Sequence, residues 1–285
     1  MSYVWYKKGE PLLAEIQAFR RRQSCAGIWY IGQMGIVLGW NGKILCVDPV
    51  LGPMPDEDGV DRRNYPVPFS PEDLSVDYVF CTHDHGDHMH RETLQKLAAA
   101  NPELRIFVPK PLKPQLAAMG IPENHIVGVC QNETFCPGNQ EKEQILVRGV
   151  ATAHEEYRYD EEGCSETLGF VFRLGTLRLF HAGDTVVTRE LAEELKKEQG
   201  LDVLMVPING RDMERHERGI IGNMDCREAC WLGAETGADL TIPLHYDMIG
   251  GNEENPLVFA DCMERLYPER KYHIMRLGEC FFLLI

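Results

Sequence analysis

Apolar residues near the start of the chain occur in short runs separated by glycines. Residues 27–49 read GIWYIGQMGIVLGWNGKILCVDP, a pattern typical of consecutive strands. The Asn41-Gly42 pair lies between two of these runs and predicts a tight hairpin, because this dipeptide suits a type I′ turn. Residues 11–23 (PLLAEIQAFRRRQ) predict a helix that ends in a basic turn. Residues 49–71 are rich in Pro, Gly and Asp, and predict a long loop of the kind that often borders a site.

From residue 76 onward, apolar strands alternate with amphipathic helices. Predicted strands are VDYVFCT, LRIFVP, LDVLMVPI, DLTIPLHY, KYHIMRL and CFFLLI, with hairpin-like stretches at QILVRGVATAH and LGFVFRLGTLRLFHAGD. Predicted helices are RETLQKLAAA, KPQLAAMG, ELAEELKKEQG, MDCREACWLGAETG and NPLVFADCMERLY. No change of composition marks a linker, so residues 1–285 predict a single α/β domain.

A group of histidines and aspartates follows the apolar strand VDYVFCT. The stretch CTHDHGDHMH begins at Cys81 and places His83, His85, Asp87 and His88 in the pattern H-x-H-x-D-H. Residues two apart in an extended segment share a face, so the first two histidines can bind one ion. Gly86 allows the chain to turn and direct the other two side chains toward a second ion. The alternative is a solvated loop with incidental histidines.

Four ligands are too few for two metal ions, so the hypothesis requires further ligand residues elsewhere in the chain. Three polar residues share the same setting, the end of an apolar strand: His154 after VRGVATA, Asp184 in HAGDT, and His245 after LTIPL. Imidazole suits Zn, Fe, Mn or Ni, and a carboxylate extends the choice toward harder ions. The pattern therefore predicts one or two divalent metal ions per chain, with Mn or Zn foremost and Fe or Ni also compatible.

The order HDHGDH, lone His, GDT and PLH resembles the metallo-β-lactamase fold superfamily of metal-dependent hydrolases, from about Gly27 to beyond His245. The resemblance implies an αββα four-layer sandwich with the site at one edge of its sheets. It implies that the first metal is held by His83, His85 and His154, the second by Asp87, His88 and His245, with Asp184 bridging them. Asp48, which ends ILCVD, matches a position that supports a ligand histidine. His181 is interpreted as a core residue or a similar support.

Within the superfamily, the C-terminal half is similar to the L-ascorbate-6-phosphate lactonase branch. The residues that carry this similarity are PINGRD, GNM, IPLHYD and the NP pair at Asn255. The candidate substrate contacts are Asn209, Arg211, Arg215 and Tyr246. Arginine binds phosphate or carboxylate with two parallel hydrogen bonds. A solvated mixed-charge loop or a subunit contact explains the arginines equally well, and packing explains the tyrosine equally well.

Net charge and cysteine content indicate which binding partners and which cellular compartment to expect. The formal net charge of -15 disfavours a long nucleic acid, since polyanion binding depends on neutralising phosphates. The 10 cysteines form no C-x-x-C pair, which favours reduced thiols in the cytoplasm. The N-terminus lacks the layout of a secretory signal, and no apolar run is long enough for a bilayer. No membrane partner is expected, and a homo-oligomer is compatible with the sequence.

Together these features predict a metal-dependent hydrolase that uses a metal-bound hydroxide, with Asp87 as the catalytic proton acceptor. The expected substrate is small and anionic, with a sugar lactone phosphate as the candidate. One alternative is a phosphodiesterase acting on cyclic nucleotides or short RNA. The other is a metal-dependent sensor without turnover.

Overall fold

The first of two sheets is built from β-strands at both ends of the chain. A computed structural model describes residues 3–138 and 143–284. The sheet has seven strands in the order β14-β1-β2-β3-β4-β5-β6. These are β1 (Cys25–Gly32), β2 (Gly35–Trp40), β3 (Lys43–Val47), β4 (Tyr78–Phe80), β5 (Arg105–Pro109), β6 (Ile126–Val129) and β14 (Cys280–Leu284). Pairing is antiparallel from β14 to β3 and parallel from β3 to β6.

The second sheet repeats this plan with strands from the second half of the chain. Its seven strands follow the order β13-β12-β11-β10-β9-β8-β7. They are β7 (Thr134–Phe135), β8 (Ile145–Ala151), β9 (Leu168–Leu174), β10 (Leu177–His181), β11 (Val203–Pro207), β12 (Leu240–Leu244) and β13 (Lys271–Tyr272). Pairing is antiparallel from β7 to β10 and parallel from β10 to β13. Each sheet therefore combines hairpins with parallel crossovers.

The described residues contain seven α-helices, and all but the first lie in connections between parallel strands. They are α1 (Glu10–Ala18), α2 (Arg91–Ala100), α3 (Lys113–Ala118), α4 (Arg189–Lys196), α5 (Met213–Glu217), α6 (Cys226–Thr236) and α7 (Pro256–Leu266). A capping box at Asp225 and Glu228 starts α6, and Gly237 ends it in the left-handed conformation at φ 69°. In the part of the chain that the structure describes, no helix has the length and apolar character needed to span a membrane.

Aromatic side chains join the two sheets face to face. Phe80 of β4 packs against Phe170 and Phe172 of β9, with ring centroids 5.2 and 5.0 Å apart. These rings are fully buried, as are the strand residues around them. Burial of this apolar surface supplies most of the driving force for bringing the sheets together. The predicted αββα four-layer sandwich is confirmed.

The predicted hairpin is present. Asn41 and Gly42 both have positive φ, 44° and 81°, and connect the antiparallel pair β2 and β3. Residues 49–71 form the predicted long loop. Elements that were not predicted include the parallel strand β6 and the short helix α5 in the polar stretch after β11.

The expectation of reduced thiols is wrong at one pair. Cys130 and Cys164 form a disulfide across 34 residues of sequence. The pairing joins the segment after β6 to the segment after β8, so only the tertiary fold brings the two cysteines together. By contrast, Cys226 and Cys230 lie one turn apart on α6 as expected, and both are buried free thiols.

Candidate metal centre

The histidine loop leaves the carboxyl end of a central strand. Strand β4 lies between β3 and β5, and Cys81 extends it by donating its backbone N–H to Phe107 O at 2.9 Å. The chain then turns tightly, since the backbone N–H groups of His88 and Met89 both donate to His85 O, at 3.0 and 2.8 Å. A tight turn followed by the start of α2 directs His83, His85, Asp87 and His88 to one place at the sheet edge.

The three distant residues reach the same place from the other sheet. His154 follows β8, Asp184 follows β10, and His245 follows β12. Backbone ends of neighbouring strands meet at one edge of a sheet, which is where ligand residues converge in α/β folds. His245 takes the left-handed conformation at φ 57°, a strained geometry for a non-glycine residue.

Seven side chains form two adjacent groups. In each group, one nitrogen or carboxylate oxygen per residue lies within 4.8 Å of the others. We define the first ligand group as His83, His85 and His154, and the second ligand group as Asp87, His88 and His245. Asp184 lies between them: its Oδ1 is 3.3 Å from His88 Nε2, and its Oδ2 is 3.2 Å from His245 Nε2 and 3.9 Å from His154 Nε2. Asp184 therefore lies close to donor atoms of both groups.

The donor atoms of these groups fit divalent metal ions. His83 Nε2, His88 Nε2 and Asp184 Oδ1 are buried and have no hydrogen-bond partner among the described residues. Unsatisfied buried polar atoms are costly, and a bound ion is one of the few ways to satisfy several that face each other. Nitrogen and carboxylate donors of this kind are compatible with Mn, Fe, Zn and Ni alike.

The two ligand groups differ in electrostatics. Burial lowers the pKa of His83 well below its ordinary value and lowers the pKa of His154 to about 4, so these imidazoles stay neutral. Burial acts in the same direction on His88 and His245, but the adjacent carboxylates outweigh it. Asp184 is the strongest of these neighbours, and it raises the pKa of His88 well above the ordinary range and that of His245 to about 9.

The carboxylates respond in the opposite sense. Burial alone would favour their protonated forms, but the neighbouring histidines hold the pKa of Asp87 and of Asp184 below the usual range. His88 contributes most to the shift of Asp87, and His245 most to that of Asp184. Both side chains are therefore ionised at neutral pH, as metal ligation requires.

Asp48 supports both ligand groups from behind. This fully buried carboxylate lies 2.8 Å from His88 Nδ1 and accepts hydrogen bonds from the backbone N–H and the hydroxyl of Thr82, at 2.8 and 2.7 Å. Thr82 Oγ1 is in turn 3.0 Å from His83 Nδ1. The structure thus places Asp48 where it orients one histidine directly and a second through a threonine.

His181 is held by backbone groups. Its Nε2 lies 2.8 Å from Met34 O, and its Nδ1 accepts from the Gly183 N–H at 3.3 Å. Burial lowers its pKa, so the ring is neutral. His181 therefore fixes the start of β2 against the turn that carries Asp184.

Gln33 is a site residue that the sequence reading missed. Its side-chain amide donates to Asp87 Oδ2 at 2.7 Å and lies 3.0 Å from His245 Nε2, while its backbone carbonyl accepts from the His245 N–H at 2.8 Å. It is buried and left-handed, at φ 60°. A polar residue inside the apolar run GIWYIGQMGIVLGW was the signal that could have identified it.

Asp247 fixes the position of Gln33. Its Oδ1 accepts from the Gln33 backbone N–H at 3.1 Å and from the Tyr65 hydroxyl at 2.7 Å. Burial raises the pKa of this carboxyl. The strained Gln33 backbone is therefore held by a network of buried polar groups.

A cavity of about 300 Å³ opens beside the two ligand groups. Its lining comprises Met54, Arg62, His85, Gly86, Asp87, Asp184, Arg218, Gly219, Ile220, Ile221, His245, Ile249, Gly250 and Asn252. Ligand residues of both groups thus border a space large enough for a small molecule.

The four residues expected to contact substrate have other partners and lie outside this lining. Asn209 is buried and bonded to Asn223 and Asn252, at 3.0 and 3.1 Å. Arg211 pairs with Glu228 at 2.6 Å and Arg215 with Asp212 at 2.9 Å, while the Tyr246 hydroxyl donates to Met275 O at 3.0 Å. The arginines that do line the cavity are Arg62 and Arg218, which the sequence reading did not select.

Comparison with known proteins identifies the family. The model of the β-lactamase superfamily domain matches residues 44–246, which include all seven residues of the ligand cluster. The chain belongs to this superfamily. The superfamily predicted from the order of the sequence motifs is confirmed.

A relative that aligns over most of its length is named as a metal-dependent hydrolase. A Bacillus cereus protein named UPF0173 metal-dependent hydrolase is 25% identical over 240 residues, covering 82% of this chain and 92% of the relative. That name applies to the relative.

Solved structures show the same fold. Igni18, described as a metallo hydrolase of the archaeon Ignicoccus hospitalis, superposes with a TM-score of 0.70 at 17% identity, over 92% of this chain and 99% of its own. The metallo-β-lactamase fold protein YhfI of Bacillus subtilis gives a TM-score of 0.62 at 15% identity, over 91% and 100%. Similarity at this identity concerns the fold alone.

Proposed function

We propose that this chain, a metal-dependent hydrolase of the β-lactamase superfamily, cleaves a small anionic substrate, with a sugar lactone phosphate of the L-ascorbate-6-phosphate type as the candidate. The observation that carries the proposal is the contact of Asp184 with both ligand groups at the floor of a cavity. A shared carboxylate between two sets of metal donors is the arrangement that binuclear hydrolases use.

Each side chain has a role in this proposal. The first ligand group would hold one divalent ion and the second ligand group another, and Asp184 would be a ligand within reach of both groups. When bound, such ions supply Lewis acidity and lower the pKa of water toward about 7.

Asp87 is the proposed proton acceptor. Its Oδ2 faces His245 Nε2 at 3.6 Å, and the residue lines the cavity. Gln33 fixes the same oxygen at 2.7 Å, so the other oxygen is the one available to receive a proton. The neighbouring histidines hold the pKa of this carboxyl below the usual range, so it is ionised at neutral pH.

The preference for a small anion rests on size and charge. A cavity of about 300 Å³ has the size that suits a small molecule, and the formal net charge of -15 opposes long polyanions. Two arginines at the cavity nevertheless provide local positive charge for a single anionic group.

The test is a hydrolysis assay on the Mn-loaded protein with a sugar lactone phosphate and a generic phosphodiester, and with the variant Asp184→Ala beside it. We expect lactone opening by the wild type and at least a roughly 100-fold loss in the variant. Phosphodiester cleavage alone would exclude the lactonase assignment while retaining hydrolysis. Full activity in Asp184→Ala would exclude the shared-carboxylate centre. Metal binding without turnover of either compound would favour a sensor.

A further inference from the structure

We infer that the cavity binds an organic anion with an apolar body, whose charged group lies against Arg62 and Arg218 and whose apolar part lies against four aliphatic side chains. These are Met54, Ile220, Ile221 and Ile249. The inference rests on the proposed hydrolysis of a small anion, and in place of the sugar lactone phosphate it names an anion with an apolar body as the class of substrate that the same cavity prefers.

The cationic side of the cavity is free to bind a ligand. Among the described residues neither Arg62 nor Arg218 forms an ion pair, and Arg218 makes only a long contact of 3.5 Å to Gly251 O. Arg211, in the same loop region as Arg218, is instead neutralised by Glu228. Two uncommitted guanidinium groups beside one cavity are suited to a carboxylate or phosphate.

Backbone hydrogen bonds bring the two arginines to the same side of the cavity. The Arg62 N–H donates to Met54 O, and the Gly250 N–H donates to Arg62 O, both at 3.0 Å. Gly251 follows with φ 78°, and a Cβ there would lie 2.9 Å from both terminal nitrogens of Arg218. Glycine favours this backbone conformation, and an added Cβ would displace the guanidinium of Arg218 from its place over the turn.

The apolar wall is also anchored. Ile220 and Ile221 precede Gly222, whose N–H donates to Glu155 Oε1 at 3.1 Å, and the Met224 N–H donates to Thr185 O at 2.9 Å. These bonds fix the isoleucine segment next to the residues that follow ligands His154 and Asp184. Ile249 and Met54 are themselves buried, with exposures of 7% and 8%.

The side chains that line the cavity favour an anion with an apolar body over a polyhydroxylated one. Apart from the ligand residues, the arginines and the glycines, the cavity lining contains four aliphatic side chains and a single neutral amide, Asn252. The amide oxygen of Asn252 already accepts from Asn209 at 3.1 Å. A polyhydroxylated body would leave hydroxyls without partners against this wall, whereas an alkyl or aryl body gains from burial.

The experiment compares matched esters on the Mn-loaded protein. The compounds are 4-(butyryloxy)benzoate, its uncharged analogue phenyl butyrate, and 6-phosphogluconolactone as the polyhydroxylated anion. We expect kcat/KM for the benzoate to exceed that of either other compound at least about tenfold. The variants Arg62→Gln and Arg218→Gln should lose this preference mainly through a raised KM for the benzoate.

Two further variants test whether the effects on hydrolysis are specific to the cavity. Arg227→Gln removes an exposed arginine of α6 outside the cavity, and we expect it to behave as wild type. Ile221→Ala should lower kcat/KM for the butyryl ester relative to the acetyl ester of the same phenol.

A binding measurement keeps this inference distinct from the proposed function. Titration calorimetry with 4-propylbenzoate, which cannot be hydrolysed, should show binding that weakens at least tenfold in Arg62→Gln and Arg218→Gln. Such binding without ester turnover would support the inference and exclude esters for the proposed function. Turnover of all three compounds without a charge preference, or a preference for 6-phosphogluconolactone, would overturn the inference and leave the hydrolase in place.

Discussion

The first ligand group consists of three imidazoles with Asp184 within reach, whereas the second combines two imidazoles with a carboxylate of its own, Asp87. In the first group, burial lowers the pKa of His83 and of His154, so these two rings are neutral. In the second group, carboxylates raise the pKa values of His88 and His245. Histidines that look alike in the sequence therefore differ in how readily they are protonated once the chain folds.

The two ligand groups also differ in the residues that hydrogen-bond to their ligands. Asp48 reaches both groups, directly at His88 and through Thr82 at His83. Gln33 contacts only the second group, at Asp87 and His245. The comparison teaches that the second group depends on more of the tertiary structure, and five substitutions test this.

The largest effect is expected from removing one histidine of each group. His154→Ala and His245→Ala should each reduce bound Mn from about two ions to about one per chain and lower hydrolysis at least roughly 100-fold. Metal analysis after gel filtration measures the stoichiometry, with His216→Ala on the exposed α5 as the control. Unchanged stoichiometry in both variants would contradict the division into two groups.

Asp48→Asn should weaken both groups, because it alters the orientation and basicity of one histidine in each. We expect metal affinity to fall about 10- to 100-fold at both sites, the range typical for residues that support ligands. Titration with Mn under competition with a chelator measures this. A loss confined to the second group would show that Thr82 does not transmit the effect to His83.

Gln33→Asn should weaken only the second group. Asparagine tolerates the left-handed backbone but is one methylene shorter, so it cannot hold Asp87 and His245 as Gln33 does. We expect about a tenfold loss of affinity for one of two ions. Gln95→Asn on the exposed face of α2 is the matched control, and an equal loss at both sites would be the contrary result.

The smallest effect on the metals is expected from His181→Ala. Both ring nitrogens bond to backbone groups, so removing the ring should lower the free energy of unfolding by about 1–3 kcal/mol while Mn stoichiometry stays unchanged. Urea unfolding of the Mn-loaded protein measures the free energy of unfolding. A change in stoichiometry would instead assign His181 to the centre itself.

Local patterns made the fold and the chemistry of the ligands predictable. Period-two and period-3.6 alternation indicated most strands and helices, and Asn41-Gly42 identified the β2–β3 hairpin, because both signals depend on neighbouring residues. The donors His154, Asp184 and His245 were recognisable as polar residues that end apolar strands. The order of these motifs along the chain indicated the superfamily.

Only the tertiary structure decided how the cavity is lined and which polar groups are free. Gln33 meets His245 across 212 residues, and Cys130 meets Cys164 across 34. Arg211 was the more attractive candidate in the sequence, yet Glu228 on the next helix neutralises it and Arg218 is left uncommitted. Which charges find partners depends on contacts between segments distant in sequence, and no local periodicity encodes such contacts.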